Sequence, residues 1–74
     1  MLVQVRLFAT FRKDRFKEKE MDFPEGSTLA DILANLKIAE KEARILLVNG
    51  ISVAADHKPA PNDVIAIFPP MAGG

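Results

Sequence analysis

One segment of the sequence has a helical period, and the remaining patterned segments alternate as strands do. The helical period is carried by four apolar residues with i, i+3, i+4, i+7 spacing, namely Leu29, Ile32, Leu33 and Leu36. Thr28 and Asp31 have the spacing of a capping box, and Ser27 is an alternative cap. A lone helix with one apolar stripe must bury that stripe against a sheet, which predicts an α+β domain.

The predicted strands surround this helix in the sequence. They are Leu2–Phe8, Phe16–Phe23, Ile45–Val48, Ile51–Val53 and Val64–Phe68. The first two should form an antiparallel hairpin, with the charged second strand at an edge, and Asn49-Gly50 is a tight-turn signal. The first and last strands are the most apolar, so we expect them to be central neighbours. This is the β-grasp plan: a mixed sheet of four to five strands with one main helix across one face. Residues 1–70 are expected to form the domain and 71–74 a flexible Gly-Gly tail.

Composition excludes several kinds of function. The 74 residues contain no cysteine, which excludes disulfides, thiolate metal sites and a cysteine nucleophile. Ten basic and ten acidic residues cancel, so a nucleic-acid partner is not expected. The sequence has no apolar run of the roughly 20 residues that cross a bilayer, and its first residues do not resemble a signal peptide. We therefore expect no membrane association and a cytoplasmic location.

Catalytic groups are scarce inside the predicted domain. His57 is the only histidine, and its polar, proline-flanked loop favours a solvated side chain. Glu18, Glu20 and Asp22 alternate along the second strand but are interleaved with lysines, which favours a solvated edge over a cation site. No glycine-rich phosphate loop is present. We expect no bound cofactor or metal, and no active site of the chain's own.

The segment after the last strand carries the chemical signal. It reads Phe68-Pro69-Pro70-Met71-Ala72-Gly73-Gly74. The two prolines make the base of this arm extended, and four further residues at about 3.3–3.6 Å each reach roughly 13–14 Å. Two glycines let the backbone pass through a channel too narrow for a Cβ atom. The α-carboxylate of Gly74 is therefore the group that another enzyme can receive.

Alternation also predicts a surface at the root of this arm. If Val3, Val5 and Leu7 face the core, Phe8 faces away from it, and inward Ile65 and Ile67 leave Phe68 outward. Phe8 and Phe68 would then form one exposed aromatic patch of the kind found at interfaces. The opposite register, with Phe68 in the core, is the alternative. Arg12, at the end of the first strand, is a candidate for an ionic contact.

These motifs resemble those of the small sulfur-carrier subunit of molybdopterin synthase, in the MoaD/ThiS group of ubiquitin-like carriers. The resemblance extends over the whole chain and is most specific in the tail. The other matching segments are Phe8–Arg12, Gly26–Leu29 with Leu33 and Leu36, Leu47–Gly50 and Asn62–Phe68. The chain departs from the family pattern at Met71 and Ala72, where valine then serine or threonine is common, at Asn62, where a turn glycine is usual, and at Lys13, where an acid is frequent.

The resemblance implies a carrier mechanism. An E1-like enzyme would use ATP to adenylate Gly74, and a persulfide donor would convert it to a thiocarboxylate. The large catalytic subunit of molybdopterin synthase, in a heterotetramer, would then receive its sulfur for a pterin precursor. Gly73 and Gly74 are the implied reacting end. The implied partner-binding residues are Phe8, Arg12, Phe68, Pro69, Pro70 and Met71.

Other functions remain open from the sequence. One is a sulfur carrier for thiamine thiazole synthesis or another thiolation pathway, although those carriers generally lack the Phe-Pro-Pro run. A second is a ubiquitin-like modifier that forms isopeptide bonds with lysines. A third is a β-grasp binding module with an idle tail. No motif in the sequence identifies the activating enzyme or the sulfur donor. Nor does any motif distinguish a molybdenum pathway from a tungsten pathway.

Overall fold

The computed structural model describes residues 1–70, which contain five strands, one α-helix and two 3-10 helices. The strands are β1 (Leu2–Leu7), β2 (Glu18–Asp22), β3 (Ile45–Val48), β4 (Ile51–Ser52) and β5 (Val64–Phe68). The helix α1 spans Leu29–Asn35, and the 3-10 helices span Ala9–Arg12 and Glu40–Glu42. None of the helices in this range is long and apolar enough to cross a membrane.

The strands form one mixed sheet in the order β2-β1-β5-β3-β4. The central strand β5 pairs in parallel with β1 and antiparallel with β3. The predicted adjacency of the first and last strands is confirmed, as is the edge position of β2, which pairs antiparallel with β1. Because β1 and β5 are parallel, their carboxyl ends lie at the same end of the sheet.

The helix α1 covers one face of this sheet, as its apolar stripe predicts. Leu29, Ile32 and Leu33 are almost wholly buried, and Val3, Val5, Leu7, Ile65 and Ile67 face them from β1 and β5. The capping box is present: the Asp31 backbone N–H donates to Thr28 Oγ1 at 3.2 Å, and the Thr28 N–H donates to the Asp31 carboxylate at 2.9 Å. Each fully buried aliphatic side chain contributes about 1.5–3 kcal/mol before conformational entropy is subtracted.

Several boundaries differ from the sequence-based expectation. β1 ends at Leu7, β2 is limited to Glu18–Asp22, and β4 stops at Ser52. The 3-10 helix Ala9–Arg12 was not predicted; it inserts Phe11, which is buried, beneath the β1–β2 connection. A short apolar anchor inside a charged segment has no periodicity, which is why the pattern gave no signal for it.

The start of β5 is fixed by the turn between β3 and β4. Asn49 and Gly50 have φ values of +52° and +83°, as a two-residue hairpin turn of type I′ requires. The Asn49 side chain accepts a hydrogen bond from the Val64 N–H and donates one to the Asp63 carboxylate, both at 2.9 Å. Asn62 has a φ of +70°, so asparagine supplies the left-handed geometry of the usual glycine.

Candidate functional site at the end of strand β5

The parallel pairing of β1 and β5 brings two phenylalanines together. Leu7 lies opposite Ile67 in the register, so the residues that follow them, Phe8 and Phe68, meet where the two strands end. Their ring centroids are 4.1 Å apart and the ring planes differ by 9°, which is a stacked pair. Both rings are half-buried. The predicted aromatic patch is therefore present, and the alternative register with Phe68 in the core is wrong.

Arg12 forms a third layer on this stack. The 3-10 helix after β1 brings its guanidinium to 5.2 Å from the centre of the Phe8 ring. Its Nε donates a hydrogen bond of 2.7 Å to the backbone carbonyl of Leu7. Arg12 thus first orders Phe8 within the chain, a role beyond the ionic contact expected from the sequence. We call Arg12, Phe8 and Phe68 the tail-root stack.

The predicted partner-binding residues after Phe68 divide into two kinds of position. The Phe68 carbonyl accepts a hydrogen bond of 2.9 Å from the Arg44 N–H, so β5 stays paired to its last residue. Pro69 is buried whereas Pro70 is exposed. Pro69 therefore anchors the chain and presents little surface of its own. Met71, Gly73 and Gly74 lie outside the described residues.

The open face of the sheet is more apolar than the sequence analysis anticipated. Leu2 and Ile45 are 46% and 41% exposed. Ile45 lies opposite Phe68, and Leu47 opposite Ala66, so the apolar surface around Ile45 is continuous with the tail-root stack. Leu2 lies at the other end of β1. The signal was available in Ile45–Val48 and Val64–Phe68, because strands that are apolar at every position are apolar on both faces.

The remaining candidates have contacts of other kinds within residues 1–70. Glu18 is bound by Arg6, with 3.2 Å between Nε and Oε1, and by the Gln4 amide. Residues 1–70 contain no cluster of three or more acidic or histidine side chains suited to a metal ion. His57 is half-buried rather than solvated, and its carbonyl accepts a hydrogen bond of 3.0 Å from the N–H of Leu29. Glu18 and His57 thus have partners within the fold.

The geometry and the tail agree with one family of proteins. The model of the ThiS family matches residues 5–74. The chain belongs to the ThiS family. This ThiS-family protein is therefore a ubiquitin-like member of the MoaD/ThiS sulfur carriers. No curated relative matches it significantly by sequence.

Solved structures place the same fold in several settings. A Pyrococcus furiosus protein assigned provisionally as molybdopterin converting factor subunit 1 is 29% identical, with a TM-score of 0.75 over 96% of this chain and 99% of that one. Small archaeal modifier protein 1 of Haloferax volcanii is 22% identical, with a TM-score of 0.78 over 95% and 98%. Subunit 1 in a complex with subunit 2 of molybdopterin-converting factor from Helicobacter pylori 26695 is 21% identical, with a TM-score of 0.65 over the whole of both chains. The last two likenesses concern the fold alone.

Proposed function

We propose that this ThiS-family protein carries sulfur on Gly74 for the synthesis of molybdopterin. The observation that supports this most is the tail-root stack, which lies where the central strand leads into the Phe-Pro-Pro run and the two glycines. A group carrier needs a rigid body, a docking surface and a reactive end, and it leaves the catalytic groups to its partner. In this proposal, the described residues form the body and the docking surface.

Activation begins at a carboxylate that is a poor electrophile. An E1-like enzyme joins the Gly74 carboxylate to the α-phosphate of ATP and releases pyrophosphate, which makes an acyl-adenylate. The terminal sulfur of a persulfide then attacks the carbonyl carbon and displaces AMP. A thiol, itself oxidised to a disulfide, cleaves the resulting acyl disulfide and leaves the thiocarboxylate.

Delivery requires a second enzyme. The thiocarboxylate, a good nucleophile near neutral pH, attacks a carbon of a cyclic pterin phosphate in the active site of the large subunit. The carbon–oxygen bond at that carbon breaks, and the oxygen leaves as a phosphate ester oxygen or as water. Water then cleaves the carbonyl–sulfur bond, so the sulfur stays on the pterin and Gly74 returns as a carboxylate. Two such transfers build a dithiolene, in agreement with a heterotetramer that holds two carriers. The substrate pocket and the proton-transfer groups belong to the large subunit.

Mass spectrometry of the intact chain tests the carrier chemistry. After incubation with the activating enzyme, ATP and a persulfide donor, we expect a gain of about 16 Da, because sulfur replaces oxygen on the carrier's group. Chains that lack Gly74 or carry an added alanine after it should show no gain. An unmodified wild-type chain would contradict the proposal, and attachment of the chain's C-terminal peptide to lysines of other proteins would identify a modifier instead.

A second assay tests the pathway. The thiocarboxylated chain is given to the large subunit of molybdopterin synthase with the cyclic pterin phosphate. We expect molybdopterin to form and the chain to lose about 16 Da as it returns to the carboxylate. Transfer to a thiazole precursor, with no molybdopterin formed, would place the protein in thiamine synthesis.

A further inference from the structure

The charges of this neutral chain are sorted between its two ends. The end that carries the tail root comprises residues 6–18, 36–45 and 68–70, and holds eight basic and four acidic side chains, a net charge of +4. Its basic residues are Arg6, Arg12, Lys13, Arg15, Lys17, Lys37, Lys41 and Arg44. The remaining described residues hold two basic and six acidic side chains, a net charge of −4.

The topology brings these separate segments to one end. The connection from β1 to β2 begins beside the tail root, because β1 and β5 are parallel. The helix α1 ends there as well: Arg15 donates hydrogen bonds of 3.1 and 3.4 Å to the carbonyls of Leu36 and Lys37. The segment before β3 is tied to the same place by the bond from the Arg44 N–H to the Phe68 carbonyl. We call the eight basic residues the basic collar.

Most of the collar's charge is available to solvent. All eight side chains are on exposed residues. The ion pair that the described residues form at this end joins Arg6 to Glu18. Arg12 and Arg15 donate to backbone carbonyls, which carry no net charge and leave the positive charge uncompensated. The acidic residues of the opposite end include Glu25, Asp31 and Asp56, which are also exposed.

We propose that the enzyme that receives the tail presents a ring of acidic side chains around the mouth of its channel, which the basic collar meets. This inference rests on the proposed function. The tail-root stack gives the surface an apolar centre and the collar gives it a charged rim, which is the arrangement of a protein interface. A nucleic acid is a poorer fit, since four acidic residues are interspersed among the basic ones and the whole chain has no basic excess.

The far end carries the opposite charge, so an acidic partner would orient the molecule as well as attract it. An acidic channel mouth attracts the collar and repels the far end, so the molecule approaches with its tail first. Complementary charge of this kind raises association rate constants by about 10- to 1000-fold, and the gain decreases with ionic strength. Each reversal of one collar charge should therefore slow association severalfold while the dissociation rate changes little.

Stopped-flow association with the activating enzyme and with the large subunit tests this inference. At about 0.02 M salt, we expect Lys13→Glu and Lys41→Glu each to lower the association rate constant by about three- to tenfold. Lys58→Glu, the matched change at the far end, should leave it within about twofold or raise it. Glu42→Lys adds positive charge at the collar end and should accelerate association. Asp56→Lys adds the same charge at the far end and should not. The differences should shrink at about 0.15 M salt.

The outcomes separate this inference from the proposed function. If the wild-type chain is thiolated but the five variants associate alike at both salt concentrations, the acidic mouth is wrong and the carrier function stands. If the wild-type chain is never adenylated, both are wrong. Tighter binding of a 20-nucleotide RNA than of either enzyme would assign the collar to RNA and overturn the inference. Salt-dependent dimers in sedimentation velocity, with no effect of the variants on enzyme association, would assign it to a second copy and overturn the inference as well.

Discussion

The two ends of β5 are held by different chemistry. At Val64, the strand's N–H donates a hydrogen bond to the Asn49 side chain in the turn, and the Asp63 carboxylate accepts a bond of 2.8 Å from the Ala60 N–H. At Phe68, a ring stack and a guanidinium hold the strand's end. Polar groups that already have hydrogen-bond partners within the chain offer few free donors or acceptors to another protein. Half-buried rings, in contrast, keep exposed apolar area that docking can bury. In the proposed function, the first end serves the fold and the second serves recognition.

The largest expected effect on stability lies at the Val64 end. Asn49→Ala removes two side-chain hydrogen bonds and places alanine at a φ of +52°, so we expect the free energy of unfolding to fall by about 2–3 kcal/mol. Urea unfolding measures this loss. Asn49→Gly is the matched control: it loses the same bonds without the backbone strain and should be about 1 kcal/mol less destabilised. Equal stability of wild type and Asn49→Ala would remove the contrast between the two ends.

The second prediction concerns the Phe68 end. Phe8→Ala removes half-buried area and the ring stack, which should lower the free energy of unfolding by about 1–2 kcal/mol and weaken binding to the activating enzyme at least about tenfold. Calorimetric titration measures the binding. Met21→Ala, at a half-buried position on β2, is the control that should lose stability without losing affinity. Unchanged affinity of Phe8→Ala would show that the stack is only structural.

The third prediction concerns Arg12. Arg12→Gln loses the contact with the Phe8 ring and should lower the free energy of unfolding by about 0.5–1 kcal/mol. Arg12→Lys keeps the collar charge but lacks the Nε that donates to the Leu7 carbonyl. Ring-current shifts of Phe8 and Phe68 in NMR spectra should change in both variants, whereas the association rate should fall mainly in Arg12→Gln. Unchanged ring-current shifts in both would show that Arg12 does not order the stack.

The last prediction is a gain in stability. Lys37 has a φ of +60° after α1, and the Ile38 N–H donates to the Leu33 carbonyl at 2.9 Å, which together form a Schellman C-cap. Lys37→Gly should therefore raise the free energy of unfolding by about 0.5–1 kcal/mol. Lys37→Ala, which loses the charge but keeps the strained backbone, should show no gain. A gain in both variants would mean that charge repulsion at this end, not backbone geometry, sets the stability.

Regular patterns in the sequence predicted most of the fold. The helical stripe, the Thr28–Asp31 capping box and the Asn49-Gly50 turn each have one structural solution, and the alternation of β1 and β5 placed Phe8 beside Phe68. The 3-10 helix at Ala9–Arg12 was missed, because its direction depends on burying Phe11 and on a φ of +53° at Ala9, and neither has a local signature. The contact of Arg12 with Phe8 follows from that helix and was missed with it.

The collar was missed for a different reason. A net charge summed over the chain is zero whether its charges are mixed or separated. The separation depends on the fold, which brings Lys13 and the segment with Lys37 and Arg44 to one end from distant parts of the sequence. The proposed sulfur chemistry of the tail, in contrast, rests on the resemblance, since Gly73 and Gly74 have no side chains to interpret.

The position of β5 has a consequence for the timing of synthesis. This strand fills the middle of the sheet, yet it is the last of the five to leave the ribosome. Until Phe68 has been made and released, β1 and β3 have no partner between them, and the pairing that closes the domain joins segments about sixty residues apart. In the proposed function, a chain interrupted before β5 therefore offers an activating enzyme neither a reactive end nor a folded surface, so competence for activation and completion of the fold arrive together.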